Sequence, residues 1–196
     1  MMFKLKEYWA ESFSNLEFKS NKLNGAEFDD CTFSGCDFSK STFRECRFID
    51  CRFIECDLSV VSFLGTRFEE TAFKSCKLSG VDWTNVDYSE FIHEAPFHFY
   101  ESLLDYGSFF GLELENLSLR NCHLLEVDFR EATLKLADFS ESVLDEALFR
   151  HTKLEEASFV DARNYNIDLR INIITGAKFS SDEALSLLKG LDIVLV

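Results

Sequence analysis

Residues 26–88 read AEFDD CTFSG CDFSK STFRE CRFID CRFIE CDLSV VSFLG TRFEE TAFKS CKLSG VDWTN VDY when they are written in blocks of five. A large apolar residue stands at the centre of every block, from Phe28 to Tyr88, and a small residue stands two positions before it. A repeat of fixed period is a strong indicator of fold. The stretch therefore predicts a repetitive structure that buries one large side chain per block.

The period of five excludes the two simplest regular structures. In an α-helix it would rotate the apolar residue by about 140° per block and leave no common face. In a flat strand the side chains alternate with period two, so an odd repeat would point every second ring into water. The chain must therefore turn once per block in the same sense and wind into a coil with short flat sides. Periodicity alone allows three or four sides per coil.

Several blocks resemble the A(D/N)LXX pattern of the pentapeptide repeat proteins, namely CDFSK at 36–40, CKLSG at 76–80, ADFSE at 137–141 and GAKFS at 176–180. This resemblance implies an all-β fold, a right-handed quadrilateral β-helix (a pentapeptide repeat solenoid) with twenty residues in each coil. It also implies a short helix and strand at the C-terminus.

The repeat is interrupted once, at residues 89–98 (SEFIHEAPFH), which contain the only proline of the chain. Tyr88 and Phe99 are eleven residues apart, which is two blocks plus one, so we predict a one-residue bulge rather than a long loop. We expect one continuous domain over residues 1–180, with two halves at about 11–88 and 97–180.

Both ends of the repeat are expected to differ from its middle. Residues 1–10 precede the blocks and are expected to cap the first coil, whose open edge would otherwise invite association. Asn164 occupies a central position and marks a weak block. Leu169, Ile174 and Phe179 are expected to close the series.

The pattern changes after Phe179 to SSDEALSLLKGLDIVLV. Ser180 and Glu183 form a capping box and Gly190 a helix stop, so a short helix and then a strand over residues 191–196 are predicted. Such a tail either folds back as a lid or forms a twofold contact. Its resemblance to the dimerisation module of the family favours a homodimer through residues 181–196, with these interface residues: Leu185, Leu188, Leu191, Ile193, Val194 and Leu195.

The seven cysteines all stand two positions before a central residue, where a small inward side chain is needed. Their number is odd and C-x-x-C is absent, so neither a disulfide framework nor a zinc site is predicted. Reduced cysteines agree with a cytoplasmic location. The first residues contain no apolar run typical of a secretory signal, and no segment is long and apolar enough to predict a membrane span.

No arrangement of residues indicates catalysis. The four histidines are scattered, and His93 and His98 merely flank the interruption. G-x-S-x-G, P-loop, G-x-G-x-x-G and calcium-binding nonapeptide patterns are absent. We therefore expect no enzyme, no metal and no cofactor. No basic stripe with interleaved aromatic residues predicts direct binding of nucleic acid.

The formal charge of −15 is segregated when residues are sorted by the twenty-residue coil. The candidate partner-binding acids of the first half share the side centred on Phe28, Phe48, Phe68 and Tyr88: Asp29, Asp30, Asp50, Glu69, Glu70 and Glu90. Those of the second half are Asp105, Glu126, Asp145 and Glu146, beside a further column of Glu101, Glu141 and Asp161. Arg130, Arg150 and Arg170 form a basic column.

Two interpretations of the acidic columns remain open. They are either ordinary decoration of an acidic solenoid or a surface that imitates the phosphates of DNA. Like charges on adjacent strands are destabilising, which favours a role in binding. Levels about 4.8 Å apart, with more than one acid each, approach the one charge per about 3.4 Å of a DNA strand.

The function follows from the resemblance. The segments CKLSGVDWTNVDY (76–88), FVDARNYNIDL (159–169) and the tail KFSSDEALSLLKGLDIVLV (178–196) resemble the DNA-mimic branch of the pentapeptide repeat proteins, and most closely the albicidin-resistance protein. The branch also includes the Qnr-type quinolone-resistance proteins, and it implies binding to DNA gyrase and topoisomerase IV. Qnr-type chains often carry projecting loops, so an uninterrupted first half favours albicidin over a quinolone as the countered poison. The alternative is a general scaffold that binds another protein.

Overall fold

Each block forms one flat side of a coil in the computed structural model, which describes Phe3, residues 6–89 and residues 94–191, with side chains as far as residue 188. The residue that closes a block usually has a positive φ angle, for example 50° at Asp30 and Asp50 and 44° at Glu70. This left-handed conformation turns the chain and restores the inward direction for the next central residue.

Parallel pairing between coils shows that four blocks make one turn. Phe28 lies opposite Phe48 and Phe48 opposite Phe68, so that partners are twenty residues apart. We name the four sides by their central residues. Side A contains Tyr8, Phe28, Phe48 and Phe68; side B contains Phe13, Phe33, Phe53, Phe73, Phe99 and Leu119; side C contains Phe18, Phe38, Leu58, Leu78, Leu104 and Leu124; and side D contains Leu23, Phe43, Phe63, Trp83, Phe109 and Phe129.

The result is a mostly-β, parallel-sheet solenoid of about eight turns with one short C-terminal helix. Its strands are β1 (Glu7–Trp9), β2 (Ser12–Ser14), β3 (Lys22–Asn24), β4 (Glu27–Asp29), β5 (Thr32–Ser34), β6 (Thr42–Arg44), β7 (Arg47–Ile49), β8 (Arg52–Ile54), β9 (Arg67–Glu69), β10 (Thr71–Lys74), β11 (Phe97–Tyr100), β12 (Leu119–Arg120), β13 (Ser158–Phe159) and β14 (Lys178–Phe179). The helical segments are a 3-10 helix at Trp83–Asn85, α1 at Ser181–Ala184 and a second 3-10 helix at Leu185–Leu191.

Aromatic rings stack along sides A, B and D of the interior, whereas side C is filled mostly by leucines. On side A the ring centroids of Tyr8, Phe28, Phe48 and Phe68 follow each other at 4.9, 5.0 and 5.4 Å. The seven cysteines are buried and form no disulfide bonds, as predicted for small side chains that fill the core. Burial raises the pKa of Cys51 to about 12, so this thiol stays protonated.

The first coil begins earlier than predicted. Strand β1 already pairs with β4, so the repeat includes residues that the sequence pattern assigned to a preceding cap. Phe3 does cap the interior: it is buried and packs by its edge against four rings, those of Tyr8, Phe13, Phe18 and Phe28. Its burial protects the end of the ring stacks from water.

The predicted one-residue bulge is wrong. Phe73 pairs with Phe99, twenty-six residues later, and the offset returns to twenty between Phe99 and Leu119. This coil is therefore six residues longer than the regular twenty, and the additional length lies between Tyr88 and Phe99. Counting in fives cannot distinguish six extra residues from one, because both leave the same remainder.

The six extra residues leave the solenoid continuous. One sheet of six strands, ordered β12-β11-β10-β8-β5-β2, runs along side B through the interruption. Phe97, which is off the central register, is fully buried, and its ring centroid lies 4.7 Å from that of Trp83. It thus fills interior space on the interrupted side, where Tyr88 is only partly buried.

Near the C-terminus the register departs from the prediction. Tyr165 and Ile167 are buried, whereas Leu169, which the block pattern places inside, is only partly buried. Phe149 lies opposite Ile167 only eighteen residues later. With Asn164 at a central position, the neighbouring Tyr165 supplies an inward ring instead and packs against both Phe159 and Phe179.

The tail starts as a helix, but without the predicted capping box. The Ser180 hydroxyl makes no cap hydrogen bond and instead joins Asp161, whose N–H it accepts at 2.7 Å and whose carboxylate it contacts at 3.0 Å. Leu191 ends the second 3-10 helix and does not begin a strand; the rest of that predicted strand, residues 192–196, lies outside the described residues. No helix in the described parts of the chain is long and apolar enough to cross a membrane.

Candidate partner-binding surface

Five of the predicted acids lie together at the edge of side A that adjoins side B. We call Asp29, Asp30, Asp50, Glu69 and Glu70 the acidic row. Asp30, Asp50 and Glu70 close their blocks at positive φ, which places them at successive levels of one corner. All of the row is exposed except Asp29, which is partly buried. No other described residue forms an ion pair or side-chain hydrogen bond with these carboxylates.

The register of side A sets the spacing of the acidic row. Asp29, Ile49 and Glu69 are direct partners in β4, β7 and β9, so the two acids are two levels apart. The Asp50 N–H donates to the Glu69 carbonyl at 2.9 Å, which places these residues on adjacent levels. Five carboxylates over three levels of about 4.8 Å make about one charge per 3 Å. The row therefore has nearly the linear charge density of one DNA strand.

The opposite edge of side A carries arginines that the charge sorting overlooked. Arg47 pairs with Glu27 at 3.2 Å, and Arg67 pairs with Asp87 at 2.7 Å. Hydrogen bonds from Ser89 and Arg67 lower the pKa of Asp87 to about 2. Side A is therefore acidic along one edge and charge-balanced along the other. The twenty-residue spacing of each pair could have revealed this balance from the sequence.

Two acids of the second half, Asp105 and Asp145, are engaged in hydrogen bonds within the chain. Asp105 lies 2.6 Å from His123 Nδ1 and also accepts the Leu125 N–H at 3.0 Å. Asp145 accepts two contacts from the Asn164 amide, at 2.9 and 3.0 Å. The remaining two candidates, Glu126 and Glu146, are exposed at the corner of sides C and D. The last predicted acid, Glu90, lies outside the described residues.

Four members of the neighbouring charge columns are paired within the chain. Glu101 lies 3.9 Å from Lys74 Nζ, and Glu141 lies 3.5 Å from Arg120. In the basic column, Arg130 and Arg170 each bind the aspartate two residues earlier at 2.7 Å. The acidic row is therefore the longest run of unpaired charge along the part of the solenoid that the structure describes.

The three histidines that the structure describes, His98, His123 and His151, do not form a site with one another. His98 accepts the Ser118 N–H through Nδ1 at 3.2 Å, and burial lowers its pKa although Glu70 opposes this shift. His93 lies outside the described residues. Within the described ranges, no group of three His, Cys, Asp or Glu side chains is arranged to hold a metal ion.

The predicted dimer contacts are only partly described. Leu185 is 61% exposed and Leu188 is partly buried. The side chain of Leu191, and all of Ile193, Val194 and Leu195, lie outside the described part of the chain.

Comparison with protein families finds two matches. The family described as "Pentapeptide repeat region" matches residues 26–94, and the family described as "Pentapeptide repeats (8 copies)" matches residues 108–145. Together they span more than half of the chain. No curated protein sequence matches it.

Solved structures of similar shape share its fold. One trypsin-treated variant of QnrB1, described as a plasmid-mediated fluoroquinolone resistance protein, is 24% identical with a TM-score of 0.61, over 97% of this chain and 91% of that one. A second trypsin-treated variant of QnrB1 is 19% identical with a TM-score of 0.58, over 97% and 99%. HetL from the cyanobacterium Nostoc sp. strain PCC 7120, involved in heterocyst differentiation regulation, is 13% identical with a TM-score of 0.51, over 90% and 88%. At these identities the likeness concerns the fold alone.

Proposed function

The chain belongs to the pentapeptide repeat proteins, and from that premise we propose that it is a non-enzymatic DNA mimic that binds a type II topoisomerase. The acidic row docks in the basic DNA-binding saddle of DNA gyrase or topoisomerase IV. The protein thereby protects the enzyme from a gyrase poison, as resistance or as immunity. The observation that carries this proposal is the density of carboxylates in the row, which no other described residue pairs and which is close to the charge density of a DNA strand.

Two poison classes fit this proposal, albicidin and the quinolones. Resemblance of the tail and of residues 76–88 favours albicidin. The main argument against a quinolone is the absence of an insertion, whereas six additional residues are present between Tyr88 and Phe99. Both poisons therefore belong in the test.

The first experiment is supercoiling by purified gyrase at rising albicidin, and separately at rising quinolone, with and without the protein. We expect the protein to restore supercoiling against at least one poison at micromolar concentration. Binding should weaken steeply with salt, as recognition of phosphates does. Absence of both rescue and inhibition at these concentrations would reject the proposal.

A matched pair of variants tests the acidic row itself. Asp30→Asn, Asp50→Asn and Glu70→Gln together remove three charges from the row, and we expect gyrase affinity to fall roughly tenfold or more. Glu55→Gln, Glu101→Gln and Glu141→Gln remove three charges from the next corner of the coil and serve as the control. An equal loss of gyrase affinity in both triple variants would show that only the net charge matters, and it would refute docking through the acidic row.

A general scaffold remains the second candidate, because the acids of the second half are partly occupied by His123 and Asn164. A pull-down from cell extract that recovers another protein and neither topoisomerase would favour it.

The proposal includes a homodimer through the C-terminal segment and a cytoplasmic location, where the topoisomerase acts. The 61% exposure of Leu185 supports a contact there. Light scattering should give twice the mass of one chain for the wild type and a lower mass for Leu185→Asp. A monomeric wild type would remove the dimer from the proposal.

A further inference from the structure

The backbone ladder of the solenoid is interrupted on side D between residues 132–151 and the coil that follows. One coil earlier, the N–H groups of Glu126 and Glu131 each donate to a carbonyl of the next coil at 2.9 Å. The equivalent donors, Glu146 and His151, have no acceptor among the residues that the structure describes. Strand donors left in this way can bind an additional extended segment.

The cause is the short path of the next coil. Phe149 keeps only an isolated bridge to Ile167, two residues earlier than the regular partner. Past this point the regular pattern resumes: Asn172 Oδ1 accepts the Thr152 N–H at 2.9 Å and its Nδ2 donates to the Phe149 carbonyl at 3.1 Å, as the Ser142 hydroxyl does with Cys122 and Leu119. A groove of about 650 Å³ opens beside the interrupted ladder and is closed on its far side by the C-terminal helix.

Two buried hydroxyl groups line this groove, Tyr165 Oη and Ser186 Oγ, which face each other and have no other hydrogen-bond partner in the described structure. Tyr165 is only 2% exposed. A buried hydroxyl without a partner is costly, so a group that bonds to these oxygens would be favoured in the groove.

Charges of both signs line the groove: Asp145, Glu146 and Glu183 are acidic and Arg150 is basic, while Arg130 and Asp168 are paired with Asp128 and Arg170. Asp145 and Glu146 lie at the corner of sides C and D, and Arg150 lies four residues beyond that corner. The half-exposed Leu148 lies between them. An extended chain covers at most about 13 Å from Glu146 to Arg150. Arg150 has no carboxylate partner in the described ranges, whereas Arg130 in the coil before is paired.

We propose that this groove binds a free peptide of two or three residues as an additional strand, parallel to residues 146–151. The ammonium group of the peptide lies at Asp145 and Glu146, and its carboxylate binds Arg150. Three extended residues span about 10 Å, which fits between these ends. The first peptide carbonyl accepts from the Glu146 N–H, the peptide carboxylate accepts from the His151 N–H as well as from Arg150, and peptide polar groups bond to the two hydroxyls. This function is separate from topoisomerase binding, because the groove and the acidic row lie in different halves of the chain.

The test is a titration of the full-length, isotope-labelled protein with trialanine, followed by amide NMR spectra. We expect saturable shifts centred on the amides of Glu146, His151 and Ser186, with a Kd of roughly 0.1–5 mM. N-acetyl-trialanine and trialanine amide each lack one terminal charge and should bind about threefold to fivefold more weakly. Arg150→Gln should weaken the binding of trialanine by a similar factor. Arg120 is an exposed arginine on side B, and Arg120→Gln should leave the Kd unchanged.

Three results would overturn the proposal. The first is the absence of saturable shifts at about 20 mM trialanine, roughly four times the weakest expected Kd. The second is equal binding of trialanine and its two blocked forms. The third is binding seen only after residues 192–196 are deleted, which would assign the groove to the chain's own tail.

Discussion

Substitution of Phe48 by alanine tests the ring stack on which the solenoid depends. The side chain is completely buried, and its ring centroid lies 5.0 Å from that of Phe28 and 5.4 Å from that of Phe68. It also meets the ring of Phe53 edge to face at 5.4 Å. The stack continues above and below it, so no nearby side chain is free to fill the space that alanine would leave.

The expected cost combines lost burial and a cavity. Replacement of a buried Phe by Ala typically lowers the free energy of unfolding by about 3–5 kcal/mol. The rigid stack places Phe48→Ala towards the upper part of this range, because the two stacked partners also lose an aromatic contact worth about 0.5–1.5 kcal/mol each. A whole domain has only about 5–15 kcal/mol of stability, so this one change removes a large fraction of it.

Urea unfolding followed by circular dichroism measures the change. Phe110→Ala is the matched control, because this ring is off the central register and 42% exposed. We expect the control to lose less than about 1 kcal/mol. A loss below about 1 kcal/mol for Phe48→Ala, or equal losses in both variants, would refute the conclusion that central rings carry the stability.

Three further predictions concern other positions. Burial lowers the pKa of His98 below its usual value, so the unfolded chain binds the proton more tightly than the folded chain does. The free energy of unfolding should therefore fall as the pH drops below about 6.5, until the lower pKa of the folded state is reached. Thermal melts at different pH should show this slope for the wild type and not for His98→Gln. Ser142 accepts the Cys122 N–H at 2.8 Å, and Ser142→Ala should cost about 1–3 kcal/mol in urea unfolding because it leaves buried backbone groups unpaired. A Cβ added at Gly107 would lie 2.9 Å from a backbone carbonyl, so Gly107→Ala should lower the melting temperature, by an amount equivalent to about 1–3 kcal/mol, and an unchanged melting temperature would contradict the close approach.

Much of the fold could be predicted because its rule is local and repeated. Phe28, Phe48 and Phe68 are buried as the central pattern requires, and the cysteines occupy the small inward positions. Hydrophobicity and size determine these positions. Residue counting alone could not show that the chain has six additional residues after Tyr88 rather than one, because the two numbers differ by one complete block of five.

The candidate surface was less predictable because charge pairs depend on which side chains meet across coils. The spacing correctly brought together Asp30, Asp50 and Glu70, but sorting acids alone missed Arg47, which pairs with Glu27 at 3.2 Å. It also treated Asp105 as free, although His123 contacts it at 2.6 Å. Near Tyr165 the block rule failed, because a ring beside the central position packs better inside than Asn164 does.

The constant twenty-residue offset has a consequence for how such a molecule can change in evolution. Gain or loss of one complete coil moves everything beyond it by about 4.8 Å along the axis and preserves the identity of each side. The distance between the acidic row and the C-terminal helix can therefore be adjusted in fixed increments by duplication. The six additional residues after Tyr88 represent a different kind of change, because they lengthen one coil while side B keeps its pairing. New surface can therefore be acquired without altering the length of the rod.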